Sequence, residues 1–137
     1  MKFYLISPPK ISKNFNHEIF DKVTDIICVN FFQFRPKYKS LSDRLNFVSH
    51  HYKEISKICK KKKIKMIINN DFEIAEKFIF DGIHLGQKDK KCKEAKMIFG
   101  TNFIVGVSCS NSYSMYIEAK NQKADYVAFG PVFKTLS

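Results

Sequence analysis

Apolar runs and amphipathic stretches alternate along this chain from its first residues. KFYLIS (2–7) predicts a strand, stopped by Pro8 and Pro9, which offer no ladder donor. A short helix is expected around Asn16 to Val23, then a long apolar strand, DIICVNFFQF (25–34), ended by Arg35-Pro36. Ser40 and Asp43 have the spacing of a capping pair. Leu41, Leu45, Val48, Tyr52, Ile55 and Cys59 follow at helical spacing, which predicts a helix to about Lys62. KMIIN (65–69) predicts a buried strand and 71–79 a helix, with Asn70 and Glu73 as a second capping pair. The remaining elements are a strand at GIHLG (82–86), a helix from Lys91 to Phe99 closed by Gly100, a strand at FIVGVS (103–108), a helix from Ser112 to Gln122 and a strand at DYVAFG (125–130).

Continuous apolar strands separated by amphipathic helices argue for a parallel sheet covered by helices, the α/β class. A doubly wound sheet and a (β/α)₈ barrel both give this order. No G-x-G-x-x-G follows the first strand, which disfavours a dinucleotide fold. Polar residues instead follow nearly every strand: Arg35 and Lys37, Asn69 and Asn70, Gln87 and Asp89, Ser108, and Thr135. A ring of functional groups contributed by many strand ends is barrel behaviour. A full TIM (β/α)₈ barrel needs eight strands and typically about 250 residues. The expectation is therefore a single domain over 1–137 that holds about the first six βα units, with strands seven and eight absent.

Charge changes this picture little. The 137 residues carry 24 Lys and Arg against 13 Asp and Glu, a net charge of +11. The lysines are scattered over nearly all predicted helices, so no nucleic-acid partner is expected. The one cluster, Lys60 to Lys63, closes a helix, where cations suit the negative end of the dipole. A positive field also attracts small phosphorylated substrates. MKFYLISPPK makes a poor signal peptide, and no apolar run approaches the roughly 20 residues of a membrane helix. A cytoplasmic protein with no membrane partner is expected, with a homo-oligomer open. Cys28, Cys59, Cys92 and Cys109 form no C-x-x-C pair, which argues against zinc and for reduced thiols.

Candidate chemistry sits at the strand ends. Gln33, Arg35 and Lys37 stand at i, i+2 and i+4, so strand alternation points them to one side. Two fixed cations there suit a phosphate or pyrophosphate, or are solvated loop residues; the spacing alone leaves both open. Asp89 follows the tight Gly86-Gln87 exit and would make sense beside phosphates with Mg²⁺ between them, or serve as an N-terminal helix charge. His84 reads as a satisfied core histidine, His50 and His51 as solvated and inert, Cys109 as a buried spectator, and Gly130-Pro131 as a turn.

Taken together, FQFRPK (32–37), IINND (67–71), DGIHLGQKD (81–89), VGVSCSNS (105–112) and ADYVAFGPVFKT (124–135) resemble the thiamine phosphate synthase family, in order and spacing, across the whole chain. The resemblance implies a (β/α)₈ barrel that joins hydroxymethylpyrimidine diphosphate to hydroxyethylthiazole phosphate and releases pyrophosphate with Mg²⁺. It implies that Gln33, Arg35, Lys37, Asn69 and Ser108 bind the pyrimidine diphosphate, with Arg35, Lys37 and Ser108 as catalytic residues. Asp89 and Asn70 would hold the metal, and Thr135 and Ser137 would take the thiazole phosphate. Asn70 stands where the family has an aspartate, so one metal charge is lost. The chain is expected to be C-terminally truncated relative to the family, with slow or absent activity in this form. Two alternatives follow: a thiazole tautomerase-like isomerase, which uses a histidine after strand five where this chain has Ser108-Cys109-Ser110, or a non-catalytic member.

Overall fold

The computed structural model describes residues 1–86, 91–131 and 133. Strands and helices alternate strictly: β1 (Phe3–Ile6), α1 (His17–Ile26), β2 (Val29–Phe34), α2 (Leu41–Lys62), β3 (Lys65–Asn69), α3 (Phe72–Lys77), β4 (Gly82–Leu85), α4 (Cys92–Phe99), β5 (Ile104–Ser110), α5 (Tyr113–Asn121) and β6 (Tyr126–Phe129). The chain forms two compact units, Met1–Asn69 and Asn70–Ser137.

In the first unit β1 pairs with β2 and β2 with β3, both in parallel, with Leu5 opposite Phe32 and Phe32 opposite Met66. Phe32, Phe34, Ile67 and Ile68 from the strands are buried, as are Phe20 of α1 and Phe47, Val48 and Ile55 of α2. Each helix starts on a side-chain cap. Asn16 Oδ1 accepts from the Ile19 N–H at 2.9 Å, and Ser40 Oγ accepts from the Asp43 N–H at 3.0 Å. Lys63 ends α2 in the left-handed conformation, φ 56°.

Two expectations change here. The residues Asp25 and Ile26, read as the start of a strand, finish α1 instead. Lys62 explains why: its ammonium bonds the Asp21 carbonyl at 2.7 Å and Thr24 Oγ1 at 2.8 Å, and pairs with the carboxylates of Asp21 and Asp25. Lys62, within the lysine cluster, thus ties the end of α2 to the last turns of α1.

The second correction is His51. It is buried rather than solvated, 6% exposed, with its ring against Phe15 and Phe47. Its Nε2 has no hydrogen-bond partner among the described residues. Loss of solvent, with His50 alongside, pushes its pKa from 6.5 down to about 4. Between those two values the unfolded chain holds the extra proton and the folded chain does not. Stability should therefore fall as pH drops from 6.5 towards 4. His51→Phe should flatten that fall, as read from melting temperatures of both proteins at pH 7 and pH 5.

In the second unit β4 pairs with β5 and β5 with β6, again in parallel. Gly82 faces Ile104, and a Cβ there would collide with the Ile104 backbone, so glycine is what lets the two strands approach. Ile74, Ile83, Leu85, Ala95 and Val105 are buried in this unit. Asp125 fastens the start of β6: its carboxylate accepts from the Val105 N–H at 2.7 Å and from Lys96 at 2.6 Å. The expected capping pair of Asn70 and Glu73 does not form as such. Asp71 is the N-cap of α3, and Asn70 is used differently.

Candidate active site

In the first unit the candidate residues stand near the ends of β1, β2 and β3. Gln33 is the next-to-last residue of β2, 3% exposed, and its side-chain nitrogen donates to the Tyr4 hydroxyl at 3.1 Å. Past the strand, burial still alternates: Phe34 and Pro36 are buried, Arg35 and Lys37 exposed. The backbone that carries the two cations is held. Ser7 N–H donates to the Gln33 carbonyl at 2.8 Å, Arg35 N–H to Ser7 Oγ at 2.8 Å, and Lys37 N–H to the Pro9 carbonyl at 2.7 Å. Apolar anchors on one side and two cations on the other are thus fixed by the exit of β1. Asn69 ends β3, half-buried. Tyr4 and Ser7 were not foreseen. A tyrosine in an apolar strand and a serine before two prolines carry no distinctive spacing.

In the second unit the candidate residues stand near the ends of β4, β5 and β6. Asn70 adopts the left-handed conformation, φ 60°, which asparagine tolerates better than most residues. Its N–H donates to the His84 carbonyl at 2.9 Å, and its Oδ1 accepts from the Gly86 N–H at 3.2 Å. Asn70 therefore fastens the exit of β4. Ser110, at the end of β5, also has a positive φ, 49°.

His84 is a core histidine whose polar atoms are engaged. Its Nε2 lies 2.9 Å from Ser108 Oγ, and its Nδ1 lies 3.1 Å from the Tyr126 hydroxyl. The His84 and Tyr126 rings stack with centroids 5.6 Å apart. Tyr126 was missed as a site residue, although Gly106 opposite it marks a close approach. Cys109 is fully buried and burial pushes its thiol pKa up, which removes it as a nucleophile. Asp89, Thr135 and Ser137 lie outside the described residues.

A magnesium ion takes hard oxygen ligands. The Asn70 amide oxygen is of that kind, and one lone pair remains after the bond to Gly86. It is neutral, and among the described residues no group of three His, Cys, Asp or Glu side chains could hold a metal. The donor type fits Mg²⁺, provided that a carboxylate completes it. No helix among the described residues is long and apolar enough to cross a membrane.

Residues 3–137 match the family model described as thiamine monophosphate synthase. A thiamine-phosphate synthase of Pelagibacter ubique is 40% identical over 132 residues, which cover 96% of this chain and 61% of that protein. One of Lactococcus lactis is 31% identical, over 98% of this chain and 63% of its own length. Among solved structures, a thiamine phosphate pyrophosphorylase from Pyrococcus furiosus superimposes with a TM-score of 0.75 at 21% identity, covering 98% of this chain and 61% of that one. That likeness shows the fold alone: an α/β chain with the order of an incomplete TIM-type barrel. The chain spans about three-fifths of the length of these relatives.

Proposed function

Because this chain belongs to the thiamine monophosphate synthase family, we propose that the protein is a cytoplasmic transferase. It would couple hydroxymethylpyrimidine diphosphate to hydroxyethylthiazole phosphate, giving thiamine phosphate and pyrophosphate. A thiazole nitrogen lone pair forms the new C–N bond at the pyrimidine methylene. The C–O bond to the diphosphate breaks, and pyrophosphate leaves with that electron pair.

The observation that carries this reading is the backbone-pinned pair Arg35 and Lys37 beyond β2. Charge builds on the departing diphosphate, and fixed cations stabilise it without reorganising. Gln33 and Asn69 would contact the pyrimidine side of that substrate, and Ser108 would donate to the leaving pyrophosphate. Thr135 and Ser137 would take the thiazole phosphate. Asn70 and Asp89 would hold Mg²⁺, which when bound supplies further positive charge beside the diphosphate.

The test supplies both substrates with Mg²⁺ to purified protein and follows thiamine phosphate and pyrophosphate by mass spectrometry. Slow formation of both products in equal amounts, and only when both substrates are present, is expected. Conversion of the thiazole substrate alone into an isomer would replace this reading with the tautomerase one. No turnover and no pyrophosphate binding would leave a non-catalytic member.

A further inference from the structure

His84 has no role in the reaction as written, yet it stands within hydrogen-bond distance of two hydroxyls. Ser108 Oγ is 2.9 Å from Nε2 and the Tyr126 hydroxyl is 3.1 Å from Nδ1. A neutral imidazole has one N–H and one bare nitrogen, so the two bonds must run in the same sense along the line. In one sense Tyr126 donates to Nδ1 and the Nε2–H donates to Ser108. In the other, Ser108 donates to Nε2 and the Nδ1–H donates to Tyr126. The two senses leave Ser108 with opposite characters. In the first its own proton is free for a ligand. In the second that proton is spent on the ring, and only lone pairs face outward, which an anion would meet with repulsion.

The sheet is built to bring these three residues together. His84, Gly106 and Tyr126 are register partners across β4, β5 and β6, so two strands' side chains must meet over the middle one. The middle residue is glycine. A Cβ at position 106 would overlap Cζ, Cε2 and the hydroxyl oxygen of Tyr126. The missing side chain is the passage through which the Tyr126 ring crosses β5 to stack on His84.

We propose that His84 is a positioning residue, held by Tyr126 across Gly106 in the tautomer protonated at Nε2, so that Ser108 is left as a hydrogen-bond donor to a diphosphate oxygen. This rests on the diphosphate reading given above and adds to it how Ser108 becomes selective for an anion. A phenol O–H is a stronger donor than an aliphatic hydroxyl, so Tyr126 donates to Nδ1 and the ring's own proton stays on Nε2, much as a second partner orients a catalytic imidazole.

Titration with inorganic pyrophosphate and Mg²⁺ at pH 8, above the ordinary histidine range, tests it. Ser108→Ala should weaken binding about tenfold, the scale of one hydrogen bond to a charged group. His84→Leu should weaken it equally, and the double variant should lose no more than either single one. His84→Gln, whose amide nitrogen can replace Nε2–H, should recover most of the affinity. Gly106→Ala and Tyr126→Phe should each lose part of it, with melting temperatures confirming folded protein. Nitrogen chemical shifts of His84 should show the proton on Nε2. A proton on Nδ1, or losses that multiply in the double variant, would overturn the proposal. If Arg35→Ala weakens pyrophosphate and His84→Leu does not, only this inference fails. If the unaltered protein binds no pyrophosphate, the diphosphate reading fails with it.

Discussion

Arg35→Ala should weaken pyrophosphate binding about 10- to 100-fold, the range of charge-assisted hydrogen bonds to one guanidinium. The side chain is exposed and its removal leaves no cavity, so the melting temperature should hardly move. What makes Arg35 costly to lose is its backbone. Ser7 Oγ holds its N–H at 2.8 Å, Pro9 holds Lys37 at 2.7 Å, and the buried Phe34 and Pro36 fix the residues on either side. The guanidinium thus starts from a set direction, and less freedom is lost when an anion binds. Arg35→Lys keeps the charge but loses the planar fork, so it should fall between wild type and alanine. Calorimetric titration with pyrophosphate and Mg²⁺ measures all three. Equal affinity for wild type and Arg35→Ala would make Arg35 a solvated loop residue, the other option its spacing allowed.

Much of this was legible in the residues because strand periods and strand-end chemistry are local. The helix from Leu41 to Lys62 was readable from its cap and its stripe, and KMIIN from its apolar run. The failures have two causes. Asp25 and Ile26 looked like strand because they precede an apolar run, but Lys62 holds them as helix from 37 and 36 positions further along the chain. Periodicity carries nothing over that distance. His51 is different, since a signal did exist. It lies three residues after Val48 and four before Ile55, on the buried stripe itself, and its polarity argued wrongly for solvent. Aromatic neighbours accept the uncharged imidazole as one more ring.

The candidate site was legible by composition but not by pairing. Arg35, Lys37, Asn69 and Asn70 stand at or just past strand ends, and Gln33 and Ser108 within the last three residues of theirs, as polar residues after apolar runs suggest. Their partners are another matter. Tyr4 on Gln33 and Tyr126 on His84 come from neighbouring strands, and only register decides which residues meet. Asn70 looked like a helix cap because its spacing to Glu73 is right. In the fold its left-handed backbone turns the amide to Gly86 instead.

Phe32→Ala should destabilise the first unit by about 3–5 kcal/mol, the range for removing a fully buried phenylalanine. Against the 5–15 kcal/mol that typically separates folded from unfolded domains, that is a large share. Phe32 is 1% exposed and meets three rings: Phe20 at 4.6 Å, Phe34 at 5.1 Å and Phe15 at 6.0 Å between centroids. These come from α1, from β2 itself and from the segment before α1, so the lost ring removes a contact between layers. Phe32→Leu fills most of the space and should cost under about 1.5 kcal/mol. Urea unfolding followed by far-UV circular dichroism measures both. The pair also separates packing from chemistry, because Phe32 lies three residues before Arg35 on the same strand exit. At a temperature where Phe32→Leu is fully folded, its pyrophosphate affinity should match wild type. Phe32→Ala should lose binding only in proportion to its unfolded fraction. A well-folded Phe32→Ala with wild-type stability would mean that β2 is not the strand that organises this core.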